Sequence, residues 1–149
     1  MRYRENGEVH KDFHLTTDTT IRWVLDTYGE EFLAELFKRT AQNVYADIYT
    51  HLKAGDASEL IEHMKYFLER EGGTFSVSED RERVRFQITD CPAARHIKQR
   101  YGNVPESFHQ QTILMNKAWS EDTPFDISTD VRGECGCVIE LRRKSDAAK

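Results

Sequence analysis

Up to Gly72 the apolar side chains recur every three or four residues, and from Phe75 on most of them alternate with polar ones. Helices are therefore expected first and strands later. An N-cap at Thr17 or Asp18 opens a short helix carrying Ile21, Val24, Leu25 and Tyr28 on one face, and Gly29 punctuates it. From about Glu30 to Ala54, residues from Phe32 and Leu33 to Ile48, Tyr49 and Leu52 keep helical spacing. That predicts one helix of about seven turns, about 37 Å long. It is expected to be the backbone of the core, so that Leu36→Asp and Ile48→Asp would each abolish folding. Asp56-Ala-Ser-Glu59 reads as a capping box for a helix striped by Leu60, Ile61, Met64, Phe67 and Leu68, which Gly72-Gly73 ends.

In the second half, Phe75 and Val77, then Val84, Phe86 and Ile88, alternate around the charged loop SEDRER, which predicts a hairpin with one wet face. Pro92 starts a short helix to about Tyr101, and Pro105 another that reaches Trp119. Phe125, Ile127 and Val131, then Cys137, Ile139 and Leu141, alternate around Gly133 as a second hairpin. The expected fold is α+β: an antiparallel sheet of about four strands covered on one face by the long N-terminal helices. The 149 residues suit a single domain, with about 1–15 and 144–149 irregular.

Composition narrows the function. A net charge of −5 gives no basic face for nucleic acid. No apolar run approaches a membrane span, and the first residues, MRYRENGEVHKDFH, lack the apolar core of a signal peptide. Three cysteines, an odd number, do not make a secreted disulfide framework, which points to a reducing, cytoplasmic compartment. The long amphipathic helix is of the type that builds homodimers.

Candidate chemistry centres on "ITDCPAARH". Cys91, just before Pro92, stands at a helix N-terminus, where free amides and the helix dipole favour a thiolate. Arg95, four residues on, shares that face and could hold the charge, whereas Asp90 works against it. His96 is about 140° round the helix from Cys91. A partner base would have to come from His109 or His14. The opposing interpretation makes Cys91 a small buried hydrophobe.

Cys135-Gly-Cys137 lacks the usual ligand spacing for zinc, and Cys137 continues the core row of Ile139 and Leu141, so no metal is expected. His51 and His63 lie off the apolar stripes and are expected in solvent. Trp23 and Trp119 read as packing or interface residues rather than a ligand cage. No glycine-rich nucleotide loop or Gly-x-Ser-x-Gly is present, so no cofactor is implied.

"VRFQITDCPAARHI", "YGNVPESF" and "STDVRGECGCVIELRRK" together resemble the family of L-2-amino-thiazoline-4-carboxylic acid hydrolases and its relatives. The resemblance spans roughly residues 20–143 and matches Cys91 and Cys137 to the first and last cysteines of the family pattern. The family's further cysteine and following aspartate are missing from "ESFHQQTILMNKAW", where His109 stands near the expected cysteine. The family is also similar to the 4-vinyl-reductase type of small-molecule-binding domain. Two functions follow. In the first, a hydrolase-like enzyme opens a small cyclic amide or amidine with Cys91 as nucleophile. Arg95 holds the thiolate, His96 or His109 moves protons, and Cys137 and Trp119 line the site. In the second, the chain is a non-catalytic binding or sensor module with a pocket between helices and sheet.

Overall fold

A computed structural model describes residues 12–145. The expected irregular ends lie outside these residues at 1–11 and 146–149, but the stretch from Asp12 to Leu15 is helical. Helix α1 runs Asp12–Tyr28, so Thr17 and Asp18 fall inside it and Asp18 is buried rather than capping. Gly29 separates α1 from α2 (Glu30–Arg39) with φ 83° and ψ −179°, a backbone geometry open only to glycine.

The expected seven-turn helix is two. After α2 the chain makes a π-helical turn, Thr40–Val44, before α3 (Ala46–Lys53). A distant side chain meets the chain at this turn. The Tyr45 amide donates to Thr40 O, five residues back, at 3.1 Å. That leaves Ala41 O to accept the indole Nε1–H of Trp119 at 3.2 Å. Burial along the two helices is uneven: Ile48 and Leu52 are buried, while Phe32, Leu36 and Val44 are exposed. The assignment of Leu36 to the core is thereby corrected.

Helix α4 (Ser58–Arg70) has Ala57 at its N-cap rather than the expected capping box, and Asp56 just before it accepts the Ser58 amide at 2.9 Å. Strands β1 (Thr74–Glu79) and β2 (Arg83–Asp90) form the first hairpin. Helix α5 (Pro92–Tyr101), a 3₁₀ turn (Glu106–His109) and α6 (Gln110–Ser120) follow, then β3 (Phe125–Arg132) and β4 (Gly136–Arg143). The fold is α+β. All neighbours in the four-stranded sheet are antiparallel, in the order β1-β2-β4-β3, so the second hairpin docks through β4 on β2. Gly136 starts β4 under tight constraint: a Cβ there would stand 2.8 Å from Arg132 O.

Alternation sorts the two faces. Val84, Phe86 and Ile88 of β2 share the inner face with Ile139 and Leu141 of β4 and with Phe125 and Ile127 of β3. They pack with Leu52, Leu60, Leu68 and Trp119 from the helices in one core. The outer face is a charge ladder in which Glu140 forms ion pairs with Arg83 at 3.8 Å and Arg85 at 3.6 Å. No helix among the described residues is long and apolar enough to cross a membrane.

Candidate functional site

Two regions bring polar and reactive groups together: the junction at Cys91, and a cleft at the opposite end of the sheet.

Cys91 is the N-cap of α5, with Pro92 in the first turn. Its amide donates to Cys135 O at 2.7 Å, and its carbonyl accepts from Arg95 N at 2.9 Å. The end of β2 and the start of β4 therefore fix it. All three cysteines are free and half-buried, and Cys91 packs against both the core beneath the sheet and the smaller cluster of Ala94, Ile97, Val104 and Phe108. Burial raises the Cys91 pKa, and the amides of Ala94 and Ala93 only partly offset it. The thiolate favoured by position alone is disfavoured by surroundings. Cys137, on the inner face opposite Ile88, is pushed up to about 12 by burial, and Cys135 is raised for the same reason.

Arg95 is committed elsewhere. Its guanidinium pairs with Asp90 and donates to Glu71 O at 3.4 Å and Gly72 O at 3.3 Å, closing the carbonyl end of α4. It is a clamp between α4, β2 and α5. Nearby, His14 Nε2 meets Glu71 Oε2 at 2.6 Å, and the His96 ring lies 6.3 Å from that of His14. Glu71 also acts on the Cys91 thiol, raising its pKa slightly. Of the predicted site residues, then, Cys91, Arg95, His96 and Cys137 gather at one junction, joined by His14 and Glu71. Among the described residues, no group of three or more His, Cys, Asp or Glu is placed to hold a metal ion.

The other two predicted residues go to different places. His109 ends the 3₁₀ turn with its ring 6.1 Å from Phe108, and burial lowers its pKa. Trp119 is buried in the core, edge-on to Tyr45 at 5.9 Å and His63 at 6.4 Å. His63 is not solvated: burial among Tyr45, Phe67 and Trp119 lowers its pKa to about 4.

The cleft, of about 290 Å³, opens where the α3–α4 connection and the β1–β2 turn overhang the sheet. Its floor is apolar, from Ile61, Val84, Phe125 and Leu141, and its rim is charged. The Arg143 guanidinium lies 5.0 Å over the Phe125 ring and donates to Gly55 O at 2.8 Å, fixing one wall. Asp56 and Asp80 spend their carboxylates on backbone amides, Asp56 on Ser58 and Asp80 on Glu82 at 3.0 Å and Arg83 at 2.9 Å. Both are held below the usual carboxylate range by those bonds. An apolar floor under a fixed polar rim suits a small amphipathic molecule. Nothing local in the sequence marks this site, because Ile61, Val84 and Leu141 read as core residues wherever they stand.

No protein-family model and no curated protein matches the chain. Among solved structures it is similar to the Fe(II) unliganded H-NOX protein from K. algicida and to a mutant of it. Each is 17% identical with a TM-score of 0.30. The alignments cover 93% of this chain and 65% of the first protein, and 92% of this chain and 64% of the mutant.

Proposed function

We propose that the chain is a small-molecule-binding or sensor module whose ligand enters the cleft between α4 and the inner face of the sheet. One observation carries this reading: a cleft of about 290 Å³ brings Ile61, Val84, Phe125 and Leu141 together with a charged rim. An apolar concavity with a few fixed polar groups is the common form of a small-molecule site. Three free thiols suit a reducing cytoplasm, and we place the protein there on the same reading.

Ring-opening hydrolysis by Cys91 is the second reading, favoured by the thiol's place at a helix N-terminus beside the His14–Glu71 pair. It asks for a thiolate, and burial holds the thiol protonated. It also asks for a cation at the sulfur, and Arg95 is bound to Asp90 and the end of α4.

Native mass spectrometry of protein purified without denaturation tests the choice. The binding reading expects a retained small molecule on the wild type, lost from Ile61→Trp, which fills the cleft, and kept by Cys91→Ser. Retention that depends on Cys91 and ignores Ile61 would overturn it in favour of chemistry at the junction.

A further inference from the structure

We infer that the corner between α1 and α2 is the surface through which two copies of this chain associate, with α2 packed antiparallel on α2 about a twofold axis. Four large apolar side chains lie in water there in an unbroken run: Trp23 is 57% exposed, Tyr28 53%, Phe32 49% and Leu36 36%. They form one surface. Trp23 meets Tyr28 edge-on with centroids 5.4 Å apart, and Tyr28 stacks on Phe32 at 4.7 Å, with Leu36 one turn further along α2. The neighbouring faces of both helices are already used, since Ile21, Val24 and Leu33 are buried together in a core cluster of their own. A contiguous patch of aromatic residues is what a protein partner covers, and such residues dominate interface energetics.

The charges choose a second copy and its direction. The first turn of α2 carries Glu30 and Glu31, and its last turn carries Lys38 and Arg39. Antiparallel pairing sets the acidic end of each helix against the basic end of the other and opposes the two helix dipoles; parallel pairing stacks like on like. A twofold axis between Phe32 and Leu36 places Phe32 of each copy on Leu36 of the other. It also carries Arg39 of one copy over Tyr28 of the other, where a guanidinium can lie on the ring. The present partners of these cations do not compete strongly. Lys38 pairs with Glu121 at 2.5 Å and Arg39 with Glu35 at 2.8 Å, but both pairs are solvent-exposed.

Sedimentation equilibrium of the full chain at micromolar concentration tests the inference. The expected mass is about twice 17.4 kDa. Phe32→Glu and Leu36→Lys, at exposed positions, are each expected to keep the wild-type circular dichroism and weaken dimerisation at least about tenfold. Glu31→Lys alone should weaken it less, and Glu31→Lys with Arg39→Glu should recover part of that loss. A monomeric wild type overturns the inference, as does a dimer that survives Phe32→Glu and Leu36→Lys. A charge swap that recovers nothing overturns the antiparallel geometry.

Discussion

His63 sits among the rings of Tyr45, Phe67 and Trp119, and burial there lowers its pKa to about 4 from the ordinary 6.5. Since the folded state resists the proton that the unfolded chain accepts, this contribution to stability is fully present above pH 6.5. It is lost as pH falls toward 4, by up to about 3 kcal/mol. His63→Phe is expected to flatten this acid limb, read from urea unfolding at pH 7 and at pH 4.5. The cysteines behave in the opposite sense. A thiol whose pKa is raised by folding stabilises fully below about 8.5, and its contribution is lost as pH rises toward the folded value, about 12 for Cys137. Under iodoacetamide, Cys137 should stay protected in the native state, and Cys91 should react with a midpoint above about 8.5. Arg95→Ala should leave that midpoint in place, because Arg95 is held by Asp90 and the end of α4. A midpoint below 8.5 that rises in Arg95→Ala would restore the nucleophile. The position of Cys91 before Pro92 was legible in the sequence. The sign of its pKa shift was not, because the core beneath the sheet that helps bury it is assembled from segments far along the chain.

At the scale of elements, periodicity located both hairpins, α4 and α5 within a residue or two of their ends, since each needs only local spacing and a local cap. It failed at the long helix. Spacing cannot reveal the π-turn at Thr40–Val44, whose buried Ala41 carbonyl is satisfied by an indole 78 residues away. Trp119→Phe removes that donor, and the orphaned carbonyl alone is expected to cost about 1–3 kcal/mol in denaturant unfolding. Burial separates two substitutions that the sequence treats alike. Ile48→Asp buries a charge in the core and should abolish folding, whereas Leu36→Asp, on an exposed position of α2, should leave the fold intact. Circular dichroism melts of the two variants check this directly. Equal loss in both would mean that α2 is covered in the monomer.

Across the whole molecule, the helical layer and the sheet close tightly over most of their shared face and part at one end. There the Gly55–Ser58 connection and the β1–β2 turn leave a cleft above Ile61, Val84, Phe125 and Leu141. The Cys91 junction lies at the other end of β2, so the two candidate sites sit at opposite ends of one strand. That separation makes them distinguishable by a bound probe. The sequence supplied the layers and the junction, but the cleft depends on how far two loops stand off the sheet, which no local pattern encodes. The decisive measurement is a ¹H–¹⁵N correlation titration with 8-anilinonaphthalene-1-sulfonate, a small amphipathic anion, following every assigned amide. Binding in the cleft is expected to move the amides of Gly55, Ser58, Ile61, Arg81, Val84 and Arg143, with those of Cys91, His96 and Cys135 unmoved. Shifts centred on Cys91, His96 and Cys135, or no saturable shifts at all, would contradict it.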